Sequence, residues 1–207
     1  MKRLLVLLIA FTMLVLFSFR AEAQKLYVWV PETEDFVQHP LFEATDTVDI
    51  VVFDGRNIPS TSKVECSSAE FVDYLIKDIQ HTYEGATFNI LPTTKYFKEA
   101  KDGHITIKIG IAAYQAGFGA DVDVAIGSVG GNFSYGISPK GRWNGITSFL
   151  VKVTDKRNGN SDEKEKEVVS QVDKSNMLGY KTAKQCLNES YSKAFSQLVF
   201  FVDSVFM

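Results

Sequence analysis

His104-Ile105-Thr106-Ile107-Lys108-Ile109 alternates polar and apolar side chains without a break. That period of two belongs to a β-strand with one face buried, and it turns Ile105, Ile107 and Ile109 toward a core. The strand is expected to run on through Ile111 toward Tyr114. Its neighbours in sequence decide what it pairs with. Upstream, Val48-Asp49-Ile50-Val51-Val52-Phe53 is a β-branched run closed by Asp54-Gly55-Arg56-Asn57, the composition of a central strand. Downstream, Arg142 to Lys156 places Phe149, Val151 and Val153 on one face, and Val168 to Val172 reads as a shorter returning strand.

Helices stand at the two ends of this strand series. Ser67-Ser68-Ala69-Glu70 carries a capping-box signal, and Phe71, Leu75 and Ile79 then follow helical spacing until Gly85. Gly179 to Phe206 reads as one long amphipathic helix, with Ala183, Leu187, Tyr191, Ala194, Leu198, Phe201 and Val205 on a single face. Shorter strands are expected at Lys25 to Val30 and at Ala86 to Leu91, each stopped by a proline. The fold class this implies is α+β: a single, mainly antiparallel β-sheet with an early helix and a long C-terminal helix packed on one face. Residues 24–47 form an N-terminal strand and an irregular segment, and residues 48–207 form a single α+β domain. The glycine-rich stretch at about 110–145 belongs to that domain. Within it Val122, Val124 and Ile126, then Phe133, Tyr135 and Ile137, alternate with small or polar residues around Gly130-Gly131. This is a hairpin with one apolar face, and it is a candidate interaction hairpin. Asp162 to Glu167 is expected to be a solvated charged tip.

The first residues bear on compartment. Met1-Lys2-Arg3, an apolar run from Leu4 to Phe19, and Ala21-Glu22-Ala23 have the layout of a secretory signal peptide cut after Ala23. An uncleaved anchor is the alternative, but the run falls short of the roughly 20 residues that span a bilayer. The chain has 22 Lys and Arg against 25 Asp and Glu, a formal charge of −3. Removing residues 1–23 takes Lys2, Arg3, Arg20 and Glu22, which leaves 19 against 24, or −5. Such an acidic chain, with no basic stripe, makes nucleic acid an unsuitable partner. Two cysteines, Cys66 and Cys186, either form one disulfide in an oxidising compartment or pack as separate buried thiols.

No residue pattern assigns a reaction. His39, His81 and His104 have no partners at metal-ligand spacing and read as surface histidines. Phe133-Ser134-Tyr135-Gly136 lacks the first glycine of a nucleophile elbow. Gly117-Phe118-Gly119 lacks the rest of a phosphate cradle, and Asp121 and Asp123 lie on an alternating strand pattern rather than a calcium loop. Asp54 and Arg56, just after a buried strand, either bind a ligand or tie down a turn; the turn is favoured. No catalytic residue, metal or cofactor is expected.

The order of elements resembles small bacterial envelope lipoproteins of the YajG type, the auxiliary lipoproteins of envelope ABC transporters, and the periplasmic domain of the curli-secretion channel. The segments that carry the resemblance are VVFDGR at 51–56, ITIKIGI at 105–111, GFGA at 117–120, LVKVTDK at 150–156 and YKTAKQCLNESYSKAF at 180–195. It implies a β-α-β-β-β-α periplasmic core that binds or assembles rather than catalyses. The chain lacks the lipid-attachment cysteine of these proteins, and its charged 155–167 segment does not suit a second membrane hairpin. The expected function is therefore an exported, non-enzymatic interaction or assembly module of the periplasm, without a lipid anchor and with an envelope protein partner. A membrane-engaging oligomer that uses the 117–141 hairpin for peripheral outer-membrane contact is the alternative. A secreted hydrolase with a dispersed site is the third.

Overall fold

A computed structural model of the chain describes residues 25–32, 37–119, 123–126, 131–134, 141–159 and 161–207. The elements are β1 (Leu26–Val28), β2 (Thr47–Asp54), β3 (Lys63–Val64), α1 (Ser68–Thr82), β4 (Thr87–Ile90), β5 (Ile105–Phe118), β6 (Asp123–Ile126), β7 (Gly131–Ser134), β8 (Arg142–Asp155), β9 (Asp162–Ser175) and α2 (Tyr180–Phe206). The signal-peptide expectation, on residues 1–23, falls outside the described residues.

β5 is the axis of the sheet. On one side β5 pairs antiparallel with β8 along its full length, and β8 pairs antiparallel with β9. On the other side its first half runs parallel to β2, and its last residues pair antiparallel with β1. Two further parallel contacts, β2 with β4 and β1 with β3, complete a seven-stranded mixed sheet. The fold is α+β with an early and a long late helix, and the long ladders are the antiparallel ones.

Alternation puts Val48, Ile50 and Val52 of β2, Ile105, Ile107, Ile109 and Ile111 of β5, and Phe149, Val151 and Val153 of β8 into the core under the helices. One irregularity lets β5 keep serving that core. Ile111 is opposite Phe149 and Ala113 is opposite Ser148, so Ala112 is an extra residue, a β-bulge. Strict alternation from Ile111 would turn Tyr114 outward. The bulge brings it inward, where its ring stacks on Phe71 at 4.1 Å.

α1 starts as its sequence signals: the Ser67 side chain accepts from the Glu70 amide, and the Glu70 carboxylate accepts from the Ser67 amide. α2 buries the face expected of it, and two buried tyrosines join the helices. Tyr191 donates to Asp78 at 2.5 Å, and Tyr83 donates to Asp203 at 2.9 Å. α2 also approaches β8 closely. A Cβ at Gly145 would lie 2.5 Å from the Cys186 carbonyl, so only glycine fits there.

Two sequence expectations change. The charged run 162–167 is strand, not tip, and β9 is 14 residues long. Residues 162–167 pair with Asp155 to Leu150 of β8 and alternate in sign from Glu163, so Glu163, Glu165 and Glu167 share one face while Lys164 and Lys166 share the other. The period-two signal was present in charge rather than in hydrophobicity. The Ser/Thr/Pro connection before α1 also contains the short strand β3.

Candidate interaction surface

At one end of the sheet, β5 and β8 finish their ladder at Phe118 and Trp143, and the Gly119 amide donates to the Arg142 carbonyl at 2.9 Å. Beyond them β6 and β7 form a separate two-stranded ladder. The candidate hairpin residues Val124 and Ile126 fall on β6 and Phe133 on β7, with Val124 opposite Phe133 and Ile126 opposite Gly131. Val122, Tyr135 and Ile137 lie outside the described residues.

Aromatic rings collect where the hairpin leaves. Alternation turns Tyr27 of β1 to the same face as Trp143, and the start of α2 brings Tyr180 over both. Tyr27 meets Trp143 edge-on at 5.5 Å, Tyr180 at 5.1 Å and Trp29 in a stack at 5.6 Å; Phe118 closes on Trp143 at 5.0 Å. Three of their polar tips are hydrogen-bonded. The Trp143 indole donates to Asn176 at 3.1 Å, and the Tyr27 and Tyr180 hydroxyls are 3.3 Å apart. That mutual hydrogen bond, with burial, holds the Tyr27 phenol above its ordinary range. Beside this cluster several apolar side chains are exposed: Met177 is 84 % exposed, Leu178 60 %, Tyr180 55 % and Phe118 41 %. Lys25 stands over the Tyr27 ring and Lys184 over Trp29, at 5.8 and 5.7 Å.

The other sequence candidates lie elsewhere. Arg56 folds back on Asp54, with Nε to Oδ1 at 2.9 Å and Nη2 to Oδ2 at 2.6 Å, while its guanidinium stacks 4.8 Å from the centre of the Phe71 ring. This is the turn reading. Burial alone would raise the Asp54 carboxyl, but the Arg56 hydrogen bonds and charge, with the Ser68 hydroxyl, hold it below its ordinary range. Cys66 and Cys186 are both buried free thiols, directed at the carbonyls of Ser67 and Trp143. Burial pushes the Cys66 thiol up to about 11, which leaves it almost wholly protonated and unreactive.

The histidines differ from one another. His81 is an exposed helix residue beside Glu84. His39 instead contacts the buried Asp203 at 2.8 Å, and His104 contacts the buried Asp49 at 3.0 Å. Sequence reading missed these two pairs, although an aspartate inside the apolar run 48–53 was a signal, since a charge in a central strand needs a partner.

No protein-family model matches the chain, and no curated protein matches it. Among solved structures, the hypothetical protein CT253 from Chlamydia trachomatis is similar at 11 % identity with a TM-score of 0.48, over 77 % of this chain and 96 % of that one. A "putative lipoprotein" from Caulobacter crescentus CB15 is similar at 8 % identity with a TM-score of 0.35, over 76 % of this chain and 88 % of that one. Among the described residues, no helix is long and apolar enough to cross a membrane.

Proposed function

We propose that the chain is an exported binding and assembly module of the bacterial envelope, not an enzyme, and that it engages a protein partner through the aromatic end of its sheet and the glycine-rich hairpin beyond Phe118. The observation that carries this reading is the coincidence of exposed Phe118, Met177, Leu178 and Tyr180 with a packed set of aromatic rings at the point where the hairpin departs. Contiguous exposed apolar surface marks contact sites, and aromatic residues and methionine are enriched in them. The signal-peptide layout supports an envelope address, and the resemblance to YajG-type and ABC-transport auxiliary lipoproteins supports assembly over catalysis.

A photo-crosslinking residue at Leu178, in cells that export the chain, tests the proposal. A discrete protein adduct is expected, and it should disappear when Val124 and Phe133 are both changed to Asp. A second reading, a lipid surface as the partner, is favoured by one observation: the Tyr and Trp rings sit beside Lys25 and Lys184, the composition of a membrane-interface belt. Flotation of the mature chain with anionic vesicles, and its loss in the same double variant, would support that reading instead. If no protein adduct forms and the chain does not float, both readings are rejected.

A further inference from the structure

On the face of the sheet away from the helices, strand register lines up a polar row. Asn89 of β4 is opposite Asp49 of β2, Asp49 is opposite Thr106 of β5, and Thr106 is opposite Thr154 of β8. Asp49 is 2 % exposed, and both of its carboxylate oxygens are engaged: Asn89 Nδ2 donates to Oδ1 at 3.0 Å, and His104 Nδ1 meets Oδ2 at 3.0 Å. A carboxylate fixed in this way orients the imidazole and directs the ring's other nitrogen, Nε2, away from itself. His104 lines a cavity of about 320 Å³ that lies between this face and the 95–101 segment.

Three groups in the cavity wall have hydrogen-bonding capacity left over. His104 Nε2 has no hydrogen-bond partner among the described residues. The Thr106 hydroxyl is buried, with the residue 2 % exposed, and is also without one. Lys108 is 8 % exposed; its ammonium donates to the Lys98 carbonyl, which leaves two of its three N–H groups unassigned. Burial of a hydroxyl without a partner is costly, so an occupant that satisfied it would gain by doing so. The charge of the wall selects the occupant. Lys95, Lys98, Lys101 and Lys108 line the cavity against two carboxylates, Asp49, whose oxygens are already used, and Glu99; Glu163 of β9, outside this wall, also acts on Lys108.

We infer that this cavity binds an oxyanion, a carboxylate or phosphate group, held by the Thr106 hydroxyl, the Lys108 ammonium and His104 Nε2, with Asp49 and Asn89 as positioning residues. The site is on the sheet face opposite the helices and does not depend on the interaction surface proposed above. A carboxylate and a phosphate share the chemistry the wall recognises, as multi-acceptor anions that take N–H and O–H donors at once.

The test is NMR of the histidine rings in the mature chain, whose three histidines give few signals. Inorganic phosphate and acetate are titrated separately, each against sodium chloride at equal ionic strength. A saturable shift of the His104 ring signals is expected with at least one of the two anions, with His81 unmoved. Saturation with phosphate alone assigns a phosphate ligand, with acetate alone a carboxylate ligand, and with both a site for either. The Thr106→Val variant should bind at least tenfold more weakly while keeping the histidine shifts of the anion-free protein. If that variant does not fold, Lys108→Met serves in its place. The inference is overturned if the His104 signals stay still, follow chloride equally, or saturate unchanged in the variant.

Discussion

Gly145 and Asp54 show how single residues hold the architecture. Gly145 sets the distance between β8 and α2, since any Cβ there would meet the Cys186 and Leu187 backbone within 2.6 Å. Backbone cannot rotate aside as a side chain can, so the whole helix must shift. Gly145→Ala is therefore expected to cost about 1–3 kcal/mol, read as a lower midpoint in urea unfolding. Asp54 belongs to a nearly buried pair, with the Arg56 side chain 2 % exposed. Asp54→Asn leaves that guanidinium without its counter-charge, and a loss of about 3 kcal/mol is expected at pH 7. The sign of its pH dependence follows from the lowered carboxyl. The unfolded chain takes up the proton more readily than the folded one, so the contribution is complete above the unfolded value of about 4 and is lost as pH falls through the folded value. The stability gap between wild type and variant should stay constant from pH 7 to 5 and close on further acidification.

The ladder of β5 and β8 ends at Phe118 and Trp143, and the Gly119 to Arg142 hydrogen bond follows it. The core beneath draws on residues before and after that point, and Gly119 and Gly141 lie close together with positive φ angles. Replacing residues 120–140 with an Asn-Gly link should leave the thermal midpoint within about 4 °C of wild type, a change of about 1 kcal/mol or less. The same replacement should abolish the Leu178 crosslink. A large fall in the midpoint would mean that the hairpin supports the fold rather than serving the surface. β9 illustrates a different use of sequence. As an exposed edge it carries a charge at every position from 162 to 167, which discourages pairing with another chain.

For the molecule as a whole, the sequence disclosed the parts that are periodic in hydrophobicity. β2, β5, β8 and both helices follow from their apolar spacing, and the Ser67 cap follows from its motif. Three features were harder to read. β9 hides its strand because its alternation is between signs of charge. β3 is two residues long, too short for any periodicity. The outer-face cavity joins Asn89, Asp49, His104 and Thr106 from three strand regions, and only sheet register brings them together. Asp49 was the one residue there whose sequence context asked for an explanation. The glycine-rich hairpin was legible as an alternating pattern, whereas the aromatic platform beside it depends on Tyr27, Trp143 and Tyr180 meeting from distant parts of the chain.

The bulge at Ala112 acts as a frameshift in side-chain orientation. Before it, the odd-numbered residues of β5 point at the helices; after it, the even-numbered ones do, so Tyr114, Ala116 and Phe118 keep company with the core and the aromatic platform. What matters at position 112 is that a residue is present, far more than which one. Any small side chain can stand there, but a chain one residue shorter would turn Tyr114 away from Phe71 and Phe118 away from Trp143. The facing of the last turn of strand before the glycine-rich segment is thus fixed by a count of residues, a constraint that substitution scanning would pass over and a one-residue deletion would expose.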